Sequence, residues 1–307
     1  MTESLDWERD GQDWPNRAHS RFVEAGGVRW HVQVAGSGAD VLLVHGTGAA
    51  THSWRDVLPR LTERFRVIAP DLPGHGFSAL PKGDDRLSLP AMATALAALV
   101  ETLGARPCIG VGHSAGAAIL AQMQLHNHLG SEQLVAINGA FLPFRGMAGT
   151  LFSPMAKVLG RNPLVPKWFA ATAESPGTVE RLIASTGSVL DARGVELYRR
   201  VVSSQAHVAA TLRMMASWDL QGLVDALPQL QVPVVLFVAA NDQAIPPAEQ
   251  LRIRHSIPNV SYVLLEGLGH LAHEERPAQI VDQLEGFMLS APCAAPAANV
   301  ALGRGLR

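Results

Sequence analysis

The stretch IGVGHSAGAAIL, residues 109–120, decides how this chain is read. An apolar run stops at Gly112, sets His113 and Ser114 between two glycines, and continues through Gly116 into small and aliphatic residues. Packing is one explanation, since small residues let a strand and a helix approach closely. Chemistry is the other: residues 112–116 fit G-x-S-x-G, the sharp strand-to-helix turn that lifts a nucleophilic serine above a sheet. Glycine is abundant, at 28 of 307 residues, so the pentapeptide alone is a weak signal. The rest of the chain must supply the partners.

Upstream, SRFVEAGGVRWHVQVAGSG (20–38) reads as a β-hairpin around Gly26-Gly27. DVLLVHG (40–46) is a short continuous apolar run, as expected of a strand covered on both faces. SWRDVLPRLTERF (53–65) has helical periodicity, with a bend expected at Pro59. RVIAPDLPGHG (66–76) is a strand ending in a Pro/Gly loop. A helix over 90–103, a strand over 107–112, a helix over 115–124 and a strand within 132–140 follow. Strands alternating with helices predict an α/β fold with a doubly wound, mostly parallel sheet. The rhythm breaks over 141–220, which reads as a helical cap inserted between the core segments 20–140 and 221–289. It returns with VPVVLFVAAND (232–242), a helix from Pro247, VSYVLLEG (260–267) and a last helix over 274–289. Residues 1–19 form a polar arm, and the Ala/Pro-rich residues 290–307 are expected to be a disordered tail.

Composition narrows the function. Hydrophobic residues make up 48% of the chain, charged ones 17%, and the net charge is −2. Nothing there favours nucleic acid or an anionic membrane as a partner. No apolar run reaches the roughly 18 residues of a membrane span, and the acidic N-terminus is unlike a signal peptide. A cytoplasmic setting is expected. Cys108 and Cys293 are the only cysteines and are expected to stay unpaired, which also excludes a cysteine-based zinc site. His45, His75 and His113 invite a metal reading, but no helical H-x-x-x-H pair supports it. Neither metal nor cofactor is expected.

A serine needs a base to take its proton, and the base needs a third group to fix its tautomer. In open α/β sheets such groups belong at the carboxyl ends of strands. Ser114 stands at one such end, Asp242 at the end of the 232–242 strand, and His270 in the glycine-rich loop after 260–267. Asp242 has a competing reading as a turn or helix cap. His270 competes with His273, which reads better as solvated or as a local hydrogen-bond partner. At the end of the 132–140 strand stands Asn138, not a carboxylate. For the oxyanion, HGTG (45–48) follows the first buried strand, so Thr47 N–H and Ala115 N–H are the expected donors, with Gly48 in reserve.

The cap carries many large apolar groups. Met147, Phe152, Trp168, Met214 and Met215 are expected as a set to line a pocket for a bulky hydrophobic ligand, although for any single one of them packing is the commoner role. Trp54 and Trp218 read as packing.

HGTG, DLPGHG, GHSAG, the Asn-Asp pair after a strand and GLGHLAHEERP together resemble the α/β-hydrolase superfamily over residues 20–290. A serine in place of an aspartate at the turn disfavours dehalogenase and epoxide-hydrolase chemistry. A narrower resemblance lies outside these motifs. DWERDGQDWPNR (6–17), SRFVEAGGVRWHVQ (20–33), HGTGAATHSWRD (45–56) and TGSVLDARGVELY (186–198) resemble the BchO family, magnesium-chelatase accessory proteins of photosynthetic bacteria. That resemblance implies a link to bacteriochlorophyll synthesis, with a tetrapyrrole as ligand and magnesium-chelatase subunits as partners. Two functions follow: a serine hydrolase acting on an ester or related acyl group, or a non-hydrolytic accessory module on the same fold. Fold does not choose between them.

Overall fold

A computed structural model describes residues 3–81, 83–143 and 164–288. The strands are β1 (Ser20–Ala25), β2 (Val28–Ala35), β3 (Asp40–Val44), β4 (Arg66–Pro70), β5 (Pro107–His113), β6 (Gln133–Ile137), β7 (Val234–Ala239) and β8 (Val260–Leu265). They form one eight-stranded sheet of order β1-β2-β4-β3-β5-β6-β7-β8. The β1–β2 and β2–β4 pairs are antiparallel, and all other pairs are parallel. Gly26 and Gly27 both take positive φ, 57° and 75°, as the tight two-residue hairpin turn between β1 and β2 requires.

The helices are α1 (Trp7–Asp10), α2 (Leu58–Leu61), α3 (Leu89–Thr102), α4 (Ala115–Leu125), α5 (Leu164–Ala173), α6 (Thr178–Ala184), α7 (Ala192–Val202), α8 (Gln205–Ser217), α9 (Gln221–Ala226), α10 (Pro247–Arg252), α11 (Ala272–Glu275) and α12 (Pro277–Met288). Strand alternation sends each strand's side chains to two cores. Leu42, Val44, Leu134, Ala136, Leu236 and Val238 pack under α3 and α4. Val41, Leu43, Val135, Ile137, Val235 and Phe237 pack with α2 and α12 on the other face. Among the described residues five helices, α5 to α9, lie between β6 and β7, with no strand element there. No helix among the described residues is long and apolar enough to cross a membrane.

Three local expectations are corrected. The 53–65 segment is not one bent helix: a 3₁₀ turn (Thr51–Trp54) precedes the four-residue α2. Pro59 has no N–H to give and fits only the first turn of a helix, so α2 begins there. The last helix is likewise two, α11 and α12, because the residue before Pro277 is barred from the helical region; Arg276 sits at φ −136°, ψ 64°. Cys108, half-buried at the start of β5, is disulfide-bonded where an unpaired thiol was expected. Cys293 lies outside the described residues, as does the tail beyond 288.

The N-terminal arm is polar in composition but packed in fact. Trp14 is buried and its Nε1 donates to Thr51 Oγ1 at 2.9 Å. Trp7 meets Phe22, His31 and Phe77 at ring distances of 5.6, 4.8 and 4.8 Å. Asp13 receives Arg193 and Arg200 of α7 at 2.7 and 2.6 Å, which hold its carboxyl well below the usual range, Arg200 most strongly. The arm therefore ties the hairpin edge of the sheet to the cap.

Candidate active site

The 109–120 stretch forms the sharp strand-to-helix turn, and its small residues make that turn possible. Ser114 sits between β5 and α4 with φ 50° and ψ −117°, a conformation a non-glycine residue holds only when its surroundings enforce it. They do so through its own backbone. Ser114 N donates to Ile137 O at 3.0 Å, and its carbonyl accepts from Ala117 N at 3.1 Å and Ala140 N at 3.0 Å. The flanking glycines are needed for space: a Cβ on Gly112 would lie 2.4 Å from Ala117 N, and one on Gly116 2.1 Å from Val44 O. Small residues thus bring strand and helix together, and that close approach creates the turn.

Asp242 and His270 meet at the carboxyl ends of β7 and β8. His270 Nδ1 lies 2.8 Å from Asp242 Oδ2, with both residues buried. A carboxylate accepts only, so Nδ1 carries the proton and Nε2 is left with a lone pair, the state a general base needs. Asp242 also closes a turn: Oδ1 accepts from Ala244 N and Ile245 N, each at 2.8 Å. One oxygen closes the turn while the other faces the imidazole. Among the described residues Ser114 Oγ makes no hydrogen bond to His270; the imidazole ring packs on His113, next in chain to Ser114, at 4.7 Å between centroids.

Further residues hold this pair. Gln250 of α10, buried, donates through Nε2 to Asp242 Oδ2 at 3.1 Å and to Ile245 O at 2.8 Å. Asn138 donates through Nδ2 to Gly269 O and His270 O, at 3.1 and 2.8 Å, and accepts Ala239 N at 2.9 Å. A carboxylate at 138 would face those two carbonyls with no proton to offer, so the amide is the fitting group. His113 Nε2 also donates to His270 O at 3.0 Å. From the cap, Thr186 O accepts both His270 N (3.2 Å) and Gln243 N (3.1 Å), and Ser188 Oγ accepts Leu271 N at 2.8 Å. Asn138 was noticeable as the strand-end residue after β6. The cap contacts carry no local signal, because they depend on how the insertion docks.

His273 corrects the solvated reading: it is fully buried. Its Nε2 lies 2.7 Å from Ser53 Oγ, which donates to Glu274 Oε1 at 3.0 Å. Glu274 also receives Tyr198 OH at 2.7 Å and pairs with Arg55. Burial pushes the Glu274 carboxyl up, against the pull of Arg55, and burial pushes the Tyr198 phenol well above its ordinary value. The network is structural glue between core and cap, stacked behind His113 at 4.5 Å.

The 45–48 loop passes directly over the turn. A Cβ on Gly46 would lie 2.8 Å from His113 Nδ1 and 3.0 Å from Ser114 Cβ. Neither Thr47 N–H nor Ala115 N–H donates to a protein acceptor among the described residues. Of the expected pocket residues, Met147 and Phe152 lie outside the described residues. Trp168 is 62% exposed on α5, edge-on to Phe169 at 5.1 Å. Met214 is fully buried, its Sδ 3.9 Å from Thr47 Oγ1, while Met215 is half-buried. Trp54 and Trp218 are buried packing residues, Trp218 donating to Leu87 O at 3.1 Å. A cleft of about 310 Å³ opens between the arm, the 74–80 loop and the cap residues Ser204, Ala206 and His207, and Ser114, Asp242 and His270 do not line it. No cluster of three or more His, Cys, Asp or Glu suited to a metal ion occurs among the described residues.

Comparison with known proteins agrees with this architecture. The model of the alpha/beta hydrolase family matches residues 41–283. The magnesium-chelatase 30 kDa subunit of Rhodobacter capsulatus is 36% identical over 280 residues, covering 89% of this chain and 97% of that protein. A pimeloyl-[acyl-carrier protein] methyl ester esterase of Aeromonas hydrophila is 28% identical over 84% of this chain and 98% of its own. Among solved structures, the epoxide hydrolase CorEH without ligand superposes with a TM-score of 0.73 at 26% identity, covering 88% of this chain and 98% of that one. The chain belongs to the α/β-hydrolase family and, within it, to the family of the magnesium-chelatase 30 kDa subunit.

Proposed function

We propose that this chain is a serine-type hydrolase of an ester or related acyl group, with Ser114 as nucleophile, His270 as base and Asp242 as its orienting acid. The observation that carries the reading is the Asp242–His270 hydrogen bond at 2.8 Å, at the strand ends beside a serine held at φ 50°. In the reaction His270 Nε2 takes the Ser114 hydroxyl proton as Oγ attacks the acyl carbon. The N–H groups of Thr47 and Ala115 receive the developing oxyanion, a contribution of roughly 2.7–4 kcal/mol per donor in such sites. The protonated imidazole then gives its proton to the leaving alkoxide, and water, deprotonated by the same nitrogen, releases the acid. The likeness to a methyl ester esterase and to a chelatase subunit favours an ester of a tetrapyrrole as substrate, a large apolar ligand for the cap.

A second reading rests on the 36% identity to a protein named as a chelatase subunit. Inserting magnesium breaks no ester, so the fold would serve as an accessory module that carries a tetrapyrrole to chelatase subunits. A fluorophosphonate probe separates the two. The hydrolase reading expects labelling at Ser114, located by peptide mass spectrometry and lost in Ser114→Ala. No labelling, together with no turnover of activated esters, leaves the accessory reading.

A further inference from the structure

With Thr47 as its one side chain, the glycine-rich 46–48 loop must be fixed largely from outside. Part of the answer is local. Ala49 N donates to Gly46 O at 3.2 Å, and Gly48 has φ 76°, which makes 46–49 a tight turn whose third position needs glycine. The rest comes from the cap. His207, Thr211 and Met214 are spaced i, i+4, i+7 on α8 and share one face of that helix. His207 Nε2 lies 3.1 Å from Gly48 O, and Met214 Sδ lies 3.9 Å from Thr47 Oγ1. Thr211 Cγ2 is the nearest atom to where a Gly48 Cβ would stand, at 3.5 Å.

The tautomer of His207 follows from its partners. Gly76 N is 3.1 Å from Nδ1, and a backbone N–H only donates, so Nδ1 is the bare nitrogen. The ring proton is therefore on Nε2, where it donates to Gly48 O. The ring is buried, packed on His75 at 5.2 Å. Burial also holds its pKa down at about 4, so the neutral ring and this bond pattern persist at neutral pH.

We propose that His207 is a positioning residue for the oxyanion loop: by donating to Gly48 O it clamps the 48–49 peptide against the Ala49–Gly46 bond, and so sets the direction of the Thr47 and Gly48 N–H groups over Ser114. The inference rests on the reading of Ser114 as nucleophile and adds that a helix of the cap is a working part of the charge-stabilising site. It also makes the cleft beside the arm consequential, since His207 forms part of its wall.

The test compares His207→Phe, which keeps a ring and loses both bonds, with His207→Gln, whose amide can donate to Gly48 O and accept from Gly76 N. With a small activated ester, His207→Phe is expected to lower kcat by roughly 10- to 100-fold, less than loss of a donor itself, with little change in KM. His207→Gln is expected to recover most of that loss. Hydrogen exchange of peptides spanning 46–50 is expected to quicken in the Phe variant and not in the Gln variant. Unchanged kcat and unchanged exchange in a folded His207→Phe overturn the inference, while probe labelling of Ser114 would leave the hydrolase reading standing. Should His207→Phe fail to fold, a His207→Gln variant as slow as Ser114→Ala overturns it as well. Quicker exchange at 46–50 combined with equal turnover by wild type and Ser114→Ala sinks the hydrolase reading, and the assignment of this loop as an oxyanion site with it.

Discussion

His270 and Thr186 are joined main chain to main chain: the amide of His270 donates to the Thr186 carbonyl at 3.2 Å, and that carbonyl also receives Gln243 N at 3.1 Å. One cap peptide thus bridges the loop of His270 and the loop of Asp242. Gly187, at φ 81°, makes the contact possible, because a Cβ there would stand 1.9 Å from Asn241 O. Gly187→Ala is expected to push the cap turn away from both loops and lower kcat by up to roughly 100-fold. Ser188→Ala, which only removes the acceptor for Leu271 N, should cost about 1 kcal/mol of stability and a smaller loss of rate. Thermal melts and ester kinetics of the two variants check this; a fully active Gly187→Ala with wild-type Tm contradicts it.

Ser114→Ala and His270→Ala should each reduce hydrolysis of a small activated ester by roughly 10³-fold or more, and the double variant should be scarcely worse, because the two act as one unit. Asp242→Asn should be severe as well, since it disturbs the proton on His270 Nδ1 that the 2.8 Å bond fixes. Additive losses in the double variant would separate the two residues into independent roles.

Asn138→Asp is expected to destabilise more than Asn138→Ala. The amide nitrogen of Asn138 serves two carbonyls, Gly269 O and His270 O, at 3.1 and 2.8 Å. A carboxylate in that fully buried place keeps the Ala239 N–H donor on one oxygen but turns the other, acceptor to acceptor, toward the two carbonyls, a loss on the order of 1–3 kcal/mol or more. Denaturant midpoints rank the two variants; the reverse order would mean that Asn138 matters for shape alone.

Much of this was legible in the chain because it is local. Strand periodicity, Gly26-Gly27 and the 112–116 glycines each encode a backbone shape within a few residues, and the carboxyl-end rule then collects Ser114, Asp242 and His270 on one edge. What escaped is non-local. His273 looked solvated beside two glutamates, yet Ser53 and Trp54, more than 200 residues upstream, bury it. The contact of Met214 on α8 with Thr47 had no local signal either. A side chain's face on a cap helix depends on how that helix docks, and no spacing within 141–220 states it.

His273→Ala separates structure from chemistry. The ring is enclosed by Trp54 at 4.6 Å and His113 at 4.5 Å and meets Ser53 Oγ at 2.7 Å, with no contact to Asp242. Truncation leaves a void and removes a partner from the Ser53–Glu274–Tyr198–Arg55 network, a loss of roughly 2–4 kcal/mol. Turnover per folded molecule is expected to stay within a few-fold of wild type. Active-site titration with a fluorophosphonate supplies the folded fraction, and a large fall in rate per titrated site would transfer the role of base from His270 to His273.

The buried histidines make acid the weak side of this fold. His45, His52, His75, His113, His207 and His273 all have pKa values pushed below the ordinary histidine value, in each case chiefly because burial penalises the charged ring. His52 and His113 are further depressed by neighbouring cations or histidines, and His207 stands at about 4. The unfolded chain takes up protons near pH 6.5 that the folded chain refuses. Their contribution to stability is therefore complete above about pH 6.5 and is lost as the pH falls toward the folded-state values. Each such residue gives a slope of about 1.4 kcal/mol per pH unit inside that window. Tm is expected to be level between pH 7 and 8 and to drop steeply from pH 6.5 to 5, and His207→Gln should make the drop shallower by removing one of the six. A Tm that holds level down to pH 5 would mean that these rings accept protons in the folded state, and with them that His207 does not keep its single donor on Gly48.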